Sequence, residues 1–180
     1  MARKIFLSSG HGGTDTGAVA NGYIERDLAI EFRKLITQQL NLLGINPIED
    51  PDSNALAQAL AWYRGKFGVQ DIMVDLHWNA GMADAKGTEV IVPETSTNFE
   101  RALAADVLKV YSGLGFSQRG IIVPSQTPRG HLGWERQNAQ CILIESCFIT
   151  NVMDMKLYQA NKYTLAKQLA ILLRNYSNIK

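Results

Sequence analysis

Ile72-Met73-Val74-Asp75-Leu76-His77-Trp78-Asn79-Ala80 is an apolar run that breaks off at an imidazole. Residues 72–76 read as a buried strand, which puts His77 at the strand's carboxyl end. Working outward, Ile5 to Leu7 is a second such run, and it leads through Ser8-Ser9-Gly10 to His11. A third, Cys141-Ile142-Leu143-Ile144, closes on Glu145. Shorter extended segments are expected at Ile45 to Ile48, Gly87 to Val92 and Ile121 to Val123. Between them the apolar spacing turns helical: Leu28, Phe32, Leu35, Ile36 and Leu43 mark a long amphipathic helix stopped by Gly44. Ser53 can cap a helix through about Lys66, another spans about Asn98 to Tyr111, and Asn151 caps a terminal helix ending near Tyr176. Strands apolar on both faces, alternating with helices, predict a three-layer α/β/α fold around a largely parallel (mixed) central sheet. In such sheets ligands sit beyond the carboxyl ends of the strands, where His11, His77 and Glu145 all fall. No repeat, low-complexity tract or linker interrupts residues 1–180, so one domain is expected.

The charge balance narrows the partners. Eighteen basic residues against seventeen acidic ones leave a net charge of +1, without the basic excess that phosphate contacts demand, so no nucleic acid is expected. No stretch approaches a membrane span, which argues against membrane insertion. The first residues hold no apolar core long enough for a secretory signal. Cytoplasmic synthesis is therefore expected, unless an export segment has been removed. Cys141 and Cys147 lie in apolar sequence and read as inert, reduced packing residues, too far apart along one strand to pair. A monomer is expected.

His11 sits in Gly10-His11-Gly12-Gly13, where the glycines allow a sharp turn and leave the imidazole unobstructed. The same glycines carry no Lys-Ser or Lys-Thr sequel and no Gly-x-Gly-x-x-Gly spacing, so a phosphate cradle is a weak reading. Glu25 stands at the start of the first long helix, where a carboxylate can simply complement the helix dipole. The loop from Gly12 to Ile24 could carry it to the histidines, but Asp27 and Glu31 compete for that role. Two imidazoles and one carboxylate suit a catalytic zinc that keeps a fourth position for water, and suit non-haem iron as well. Glu145, held against apolar strands, is the candidate general base. His131, in Arg129-Gly130-His131-Leu132, reads as structural or substrate-facing and not as a ligand.

Four segments together resemble the zinc-dependent N-acetylmuramoyl-L-alanine amidases of the amidase type 3 family. Ser9-Gly10-His11-Gly12-Gly13-Thr14-Asp15-Thr16-Gly17-Ala18 is similar to that family's opening motif, and Asn21-Gly22 to Asp27-Leu28 resembles its next segment. Leu76-His77-Trp78-Asn79-Ala80 with Gly87-Thr88-Glu89-Val90, and Ile142-Leu143-Ile144-Glu145 with Phe148-Ile149-Thr150-Asn151, follow in the family's order. The resemblance implies a phosphorylase/hydrolase-like fold and one zinc ion on His11, Glu25 and His77, choosing Glu25 over its competitors. It implies Glu145 as catalytic base and acid, and as substrate the amide between N-acetylmuramic acid and L-alanine in peptidoglycan. Ser8-Ser9, Cys147 and Val152 depart from the pattern, but none is an implied ligand or base. The stretch from Gly87 to Ile144 is too short for the helical lid of regulated members, so an open site is expected, as in a phage endolysin or a stored lytic enzyme. A zinc carboxypeptidase or related amidohydrolase, and a wall-binding module that hydrolyses nothing, are the rival readings.

Overall fold

A computed structural model describes residues 2–128, 130 and 133–179, the side chains of residues 135 and 136 excepted. Its elements run β1 (Ile5–Ser8), β2 (Val19–Ala20), β3 (Tyr23–Ile24), α1 (Glu25–Leu42), β4 (Ile48–Glu49), α2 (Leu56–Tyr63), β5 (Ile72–Asn79), β6 (Thr88–Ile91), α3 (Asn98–Ser112), β7 (Gln118–Ile122), β8 (Gln140–Phe148) and α4 (Val152–Ser177). Six strands form one sheet in the order β4-β1-β5-β8-β6-β7, and β2 pairs with β3 in a small separate hairpin. All neighbours in the large sheet are parallel except β8 and β6. The sheet is thus mixed, and β6 and β7 run opposite to the four strands on the other side of that junction.

The two faces of the sheet are covered unequally. Ile5, Leu7, Ile72, Val74, Leu76, Trp78, Val90, Ile142 and Ile144 point to one face, where they pack with Phe32 and Ile36 of α1, Leu103 and Val107 of α3, and Leu165 and Leu169 of α4. Phe6, Met73, Ile91, Cys141 and Leu143 point to the other, where, among the described residues, the short α2 covers them with Ala59 and Tyr63, joined by Trp134. Strand alternation then decides which side chains are left over. Past the part of the second face covered by α2, it presents Asp75 and His77 from β5, Glu145 from β8 and Glu89 from β6 to a cleft of about 950 Å³. Slipping β5 by one residue would swap Trp78 with His77. Trp78 is locked edge-on against Phe32 and Tyr158, with ring centroids 6.0 and 5.1 Å away. Burying one such large apolar side chain is worth about 1.5–3 kcal/mol, enough to fix the register.

Several local expectations change. The second helix starts at Leu56 and not after Ser53; its N-terminal residue is Ala55, whose N–H donates to Gln58 Oε1 at 3.0 Å. The extended segment expected at Ile45 to Ile48 is instead the short β4 at Ile48–Glu49. Both β5 and β8 continue beyond the apolar runs that announced them, because their mutual ladder persists to Asn79 and Phe148 through an irregularity between His77 and Asn79. Glu145 therefore lies within its strand. The β2–β3 hairpin carries no alternating pattern long enough to be read from the chain. Asn151 caps α4 as expected, accepting from the N–H groups of Met153 and Asp154 at 3.0 Å each. Both cysteines are buried and free. Burial pushes their thiols above the ordinary range, which keeps them unreactive.

Candidate metal centre

Three elements converge on one point. His11 follows β1 in the glycine loop, His77 lies on β5, and Glu25 is the first residue of α1, entered directly from the β2–β3 hairpin. All three are buried, and one nitrogen or oxygen from each lies within 4.8 Å of the others. Asp27 and Glu31 do not belong to this group; Asp27 pairs with Arg26 and Glu31 with Lys162. The Glu25 side chain is not spent on the dipole of its own helix. Its Oε2 accepts from Ala18 N–H at 2.8 Å, and its Oε1 accepts from Trp78 N–H at 3.0 Å, at the irregularity in β5. That same Oε1 lies 3.3 Å from His11 Nε2 and 3.1 Å from His77 Nδ1.

Each imidazole shows a carboxylate to its other nitrogen. Asp15 Oδ2 is 3.0 Å from His11 Nδ1, and Asp75 Oδ2 is 3.2 Å from His77 Nε2. Carboxylates behind metal-bound histidines fix the ring orientation and tautomer and raise ligand basicity. Neither aspartate was singled out from the sequence, although the signals were present. Asp75 and His77 are two apart on a strand and share its face, and Asp15 follows His11 by four residues in the loop.

The loop glycines are required by contact. A Cβ on Gly10, where φ is +66°, would stand 2.3 Å from His77 Nε2, and one on Gly17, at φ +59°, would stand 2.6 Å from Glu25 Oε2. Only glycine lets the backbone lie against the imidazole and the carboxylate in that conformation.

The electrostatics suit a cation. Burial works to raise the Glu25 carboxyl, but the two imidazoles beside it outweigh this and hold it well below the usual range. Burial likewise opposes charging His11 and His77, yet Glu25 lifts His11 above its ordinary value, and Asp75 with Glu25 lifts His77 further. Three carboxylates around two imidazoles demand positive charge, supplied by protons or by a metal ion. Both ring nitrogens of His11 are buried and make no well-aligned hydrogen bond, which leaves them disposed toward coordination. The donor set therefore fits a metal.

Glu145 lies outside the three-residue group but beside it, as the partner of His77 across the β5–β8 ladder, and it lines the same cleft. His131 lies outside the described residues. Among the described residues between β7 and β8 there is no α-helix; Pro124–Gln126 and Gly133–Arg136 form single 3-10 turns.

Residues 5–174 match the family model described as N-acetylmuramoyl-L-alanine amidase. The chain belongs to that family. It is 29% identical over 171 residues to the uncharacterized protein YqiI of Bacillus subtilis (strain 168), covering 89% of this chain and 77% of YqiI. It is 27% identical over 165 residues to the N-acetylmuramoyl-L-alanine amidase LytC of the same organism, covering 89% of this chain but only 32% of LytC. The N-acetylmuramoyl-L-alanine amidase AmiC2 of Nostoc punctiforme shares the fold, with a TM-score of 0.78 at 20% identity over 97% of this chain and 96% of that one. The His11, Glu25 and His77 donors form a group of the kind that can hold a metal ion, and the enzyme class of the family is that of a peptidoglycan amide hydrolase. Among the described residues no helix is long and apolar enough to cross a membrane.

Proposed function

We propose that His11, Glu25 and His77 hold one zinc ion, and that Glu145 moves the protons while the enzyme cleaves the amide between the lactyl group of N-acetylmuramic acid and the L-alanine of the stem peptide. The observation that carries this reading is the convergence of the three donors within 4.8 Å, with Glu145 alongside His77 at the floor of the cleft. Zinc, when bound, supplies Lewis acidity, lowering the pKa of a coordinated water from about 15.7 to about 7 and polarising the scissile carbonyl. The chain's own residues supply the rest. Asp15 and Asp75 hold the two imidazoles in orientation, and Trp78 N–H and Ala18 N–H hold the Glu25 carboxylate. Glu145 accepts a proton from the attacking water, the hydroxyl oxygen bonds to the lactyl carbonyl carbon, and the carbon–nitrogen bond breaks. Glu145 then returns that proton to the departing alanine nitrogen. Neither cysteine enters, since burial keeps both as thiols.

The test is Glu145→Ala, with zinc content and digestion products measured on purified wall. Zinc should be retained and release of stem peptides lost. Retained hydrolysis would remove Glu145 from the mechanism, and release of single terminal residues by the unmodified protein would make it a carboxypeptidase.

A further inference from the structure

The cleft has a second pole. At the metal end its lining is acidic, with Glu25, Asp75 and Glu145, whereas the cations among the described lining residues, Lys86 and Arg119, stand with Glu89 on the β6–β7 side. Arg119 is fixed on two sides. Its Nε donates to Glu89 Oε2 at 2.9 Å, and its guanidinium carbon lies 4.9 Å from the centre of the Phe148 ring. Glu89 is itself anchored, because Asn79 Nδ2 donates to its Oε1 at 2.6 Å. The Glu89 side chain is 11% exposed and that of Arg119 41% exposed, so the carboxylate is the support and the guanidinium the presented group. Nε and one ring face are thus committed, while the two terminal amino groups form the planar fork that matches a carboxylate.

We propose that Arg119 is a specificity-determining residue that binds a free carboxylate on the stem peptide, with Glu89 as its positioning residue. This rests on the amidase reading above. His77, Glu145 and Glu89 are successive partners across β5, β8 and β6, so the Arg119–Glu89 pair stands two strand spacings from the metal cluster. At about 4.8 Å per strand that is roughly 10 Å. An extended peptide advances about 3.3–3.6 Å per residue, so the gap spans about three residues. The third residue of the stem peptide carries a free side-chain carboxylate in some walls and a carboxamide in others. The fork is placed to tell these apart.

The experiment uses the zinc-loaded chain and two muramoyl tetrapeptides that differ only in a free carboxylate or a carboxamide on the side chain of the third residue. The unmodified enzyme should favour the acid. Arg119→Gln should lose about tenfold to a hundredfold in kcat/KM on the acid, chiefly through KM, as expected for one charge-assisted hydrogen-bonded pair. It should change little on the amide, with zinc content and melting temperature preserved. Arg119→Lys should fall between, since it keeps charge without the fork, and Glu89→Gln should erode the same preference. Equal losses on both peptides, or no loss on either, would overturn the role of Arg119. Failure of the unmodified enzyme to cut either peptide at the muramoyl amide would instead sink the amidase reading, and the substrate assigned to Arg119 with it.

Discussion

Glu145 and His77 are direct partners across the parallel β5–β8 ladder, so a residue of the metal cluster and the proposed base are held by backbone hydrogen bonds and not by a loop. Neighbouring strands lie about 4.8 Å apart, which sets the spacing of the two backbones that carry these side chains. The charge of Glu145 is also felt at His77, where it adds to the lift from Asp75 and Glu25.

Replacing His77 by alanine should abolish metal binding and activity together, because one of three converging donors is lost. Metal analysis of the purified variant is the check. Unchanged stoichiometric zinc would show that His77 is not a ligand.

Asp75→Asn should fold but bind zinc about tenfold to a hundredfold more weakly, as removal of a carboxylate behind a ligand histidine typically does. Asp75 is fully buried and lies 3.2 Å from His77 Nε2, so its loss frees the imidazole to rotate. Competition with a chromophoric chelator measures the affinity; an unaltered dissociation constant would reduce Asp75 to a packing residue.

Gly10→Ala combines a left-handed backbone with a contact of 2.3 Å to His77 Nε2. The backbone strain alone costs about 1–2 kcal/mol, or about 2–8 °C in melting temperature for a domain of this size. The collision should also displace His77, so zinc occupancy should drop with stability. A variant that melts lower yet binds zinc normally would refute the close approach.

The metal's effect on stability should grow with pH. His11 and His77 have raised values in the folded chain, so the stabilisation they give without metal is complete below the ordinary histidine value of about 6.5 and is lost as pH rises through the raised ones. Zinc must displace those same protons, so its binding strengthens over that interval. Melting curves with zinc and with a chelator should therefore diverge from about pH 6.5 upward. A separation that stays constant or narrows would contradict the coupling of the two imidazoles to the carboxylates.

How far the chain could be read differs from residue to residue. His11, His77 and Glu145 were visible because each follows an apolar run, and strands of one direction deliver the ends of such runs to one edge of a sheet. Glu89 and Arg119 escaped that rule. They stand near the amino ends of β6 and β7, which run the other way, so an antiparallel junction brings them to the same edge. Strand direction follows from the connections and from packing, and no local pattern of residues encodes it.

The alternation of strands and helices and the two imidazoles can be read from the chain alone, and four ordered motifs add the family and, through it, Glu25. It took the packed chain to show that Glu25 reaches the histidines from a hairpin-led helix start, that Asp15 and Asp75 stand behind them, and that the second face of the sheet holds a cleft beyond α2. The reason is physical. Apolar spacing records what each segment buries, a local property. The convergence of buried polar atoms depends on where separate segments are brought together by the packing of all the others.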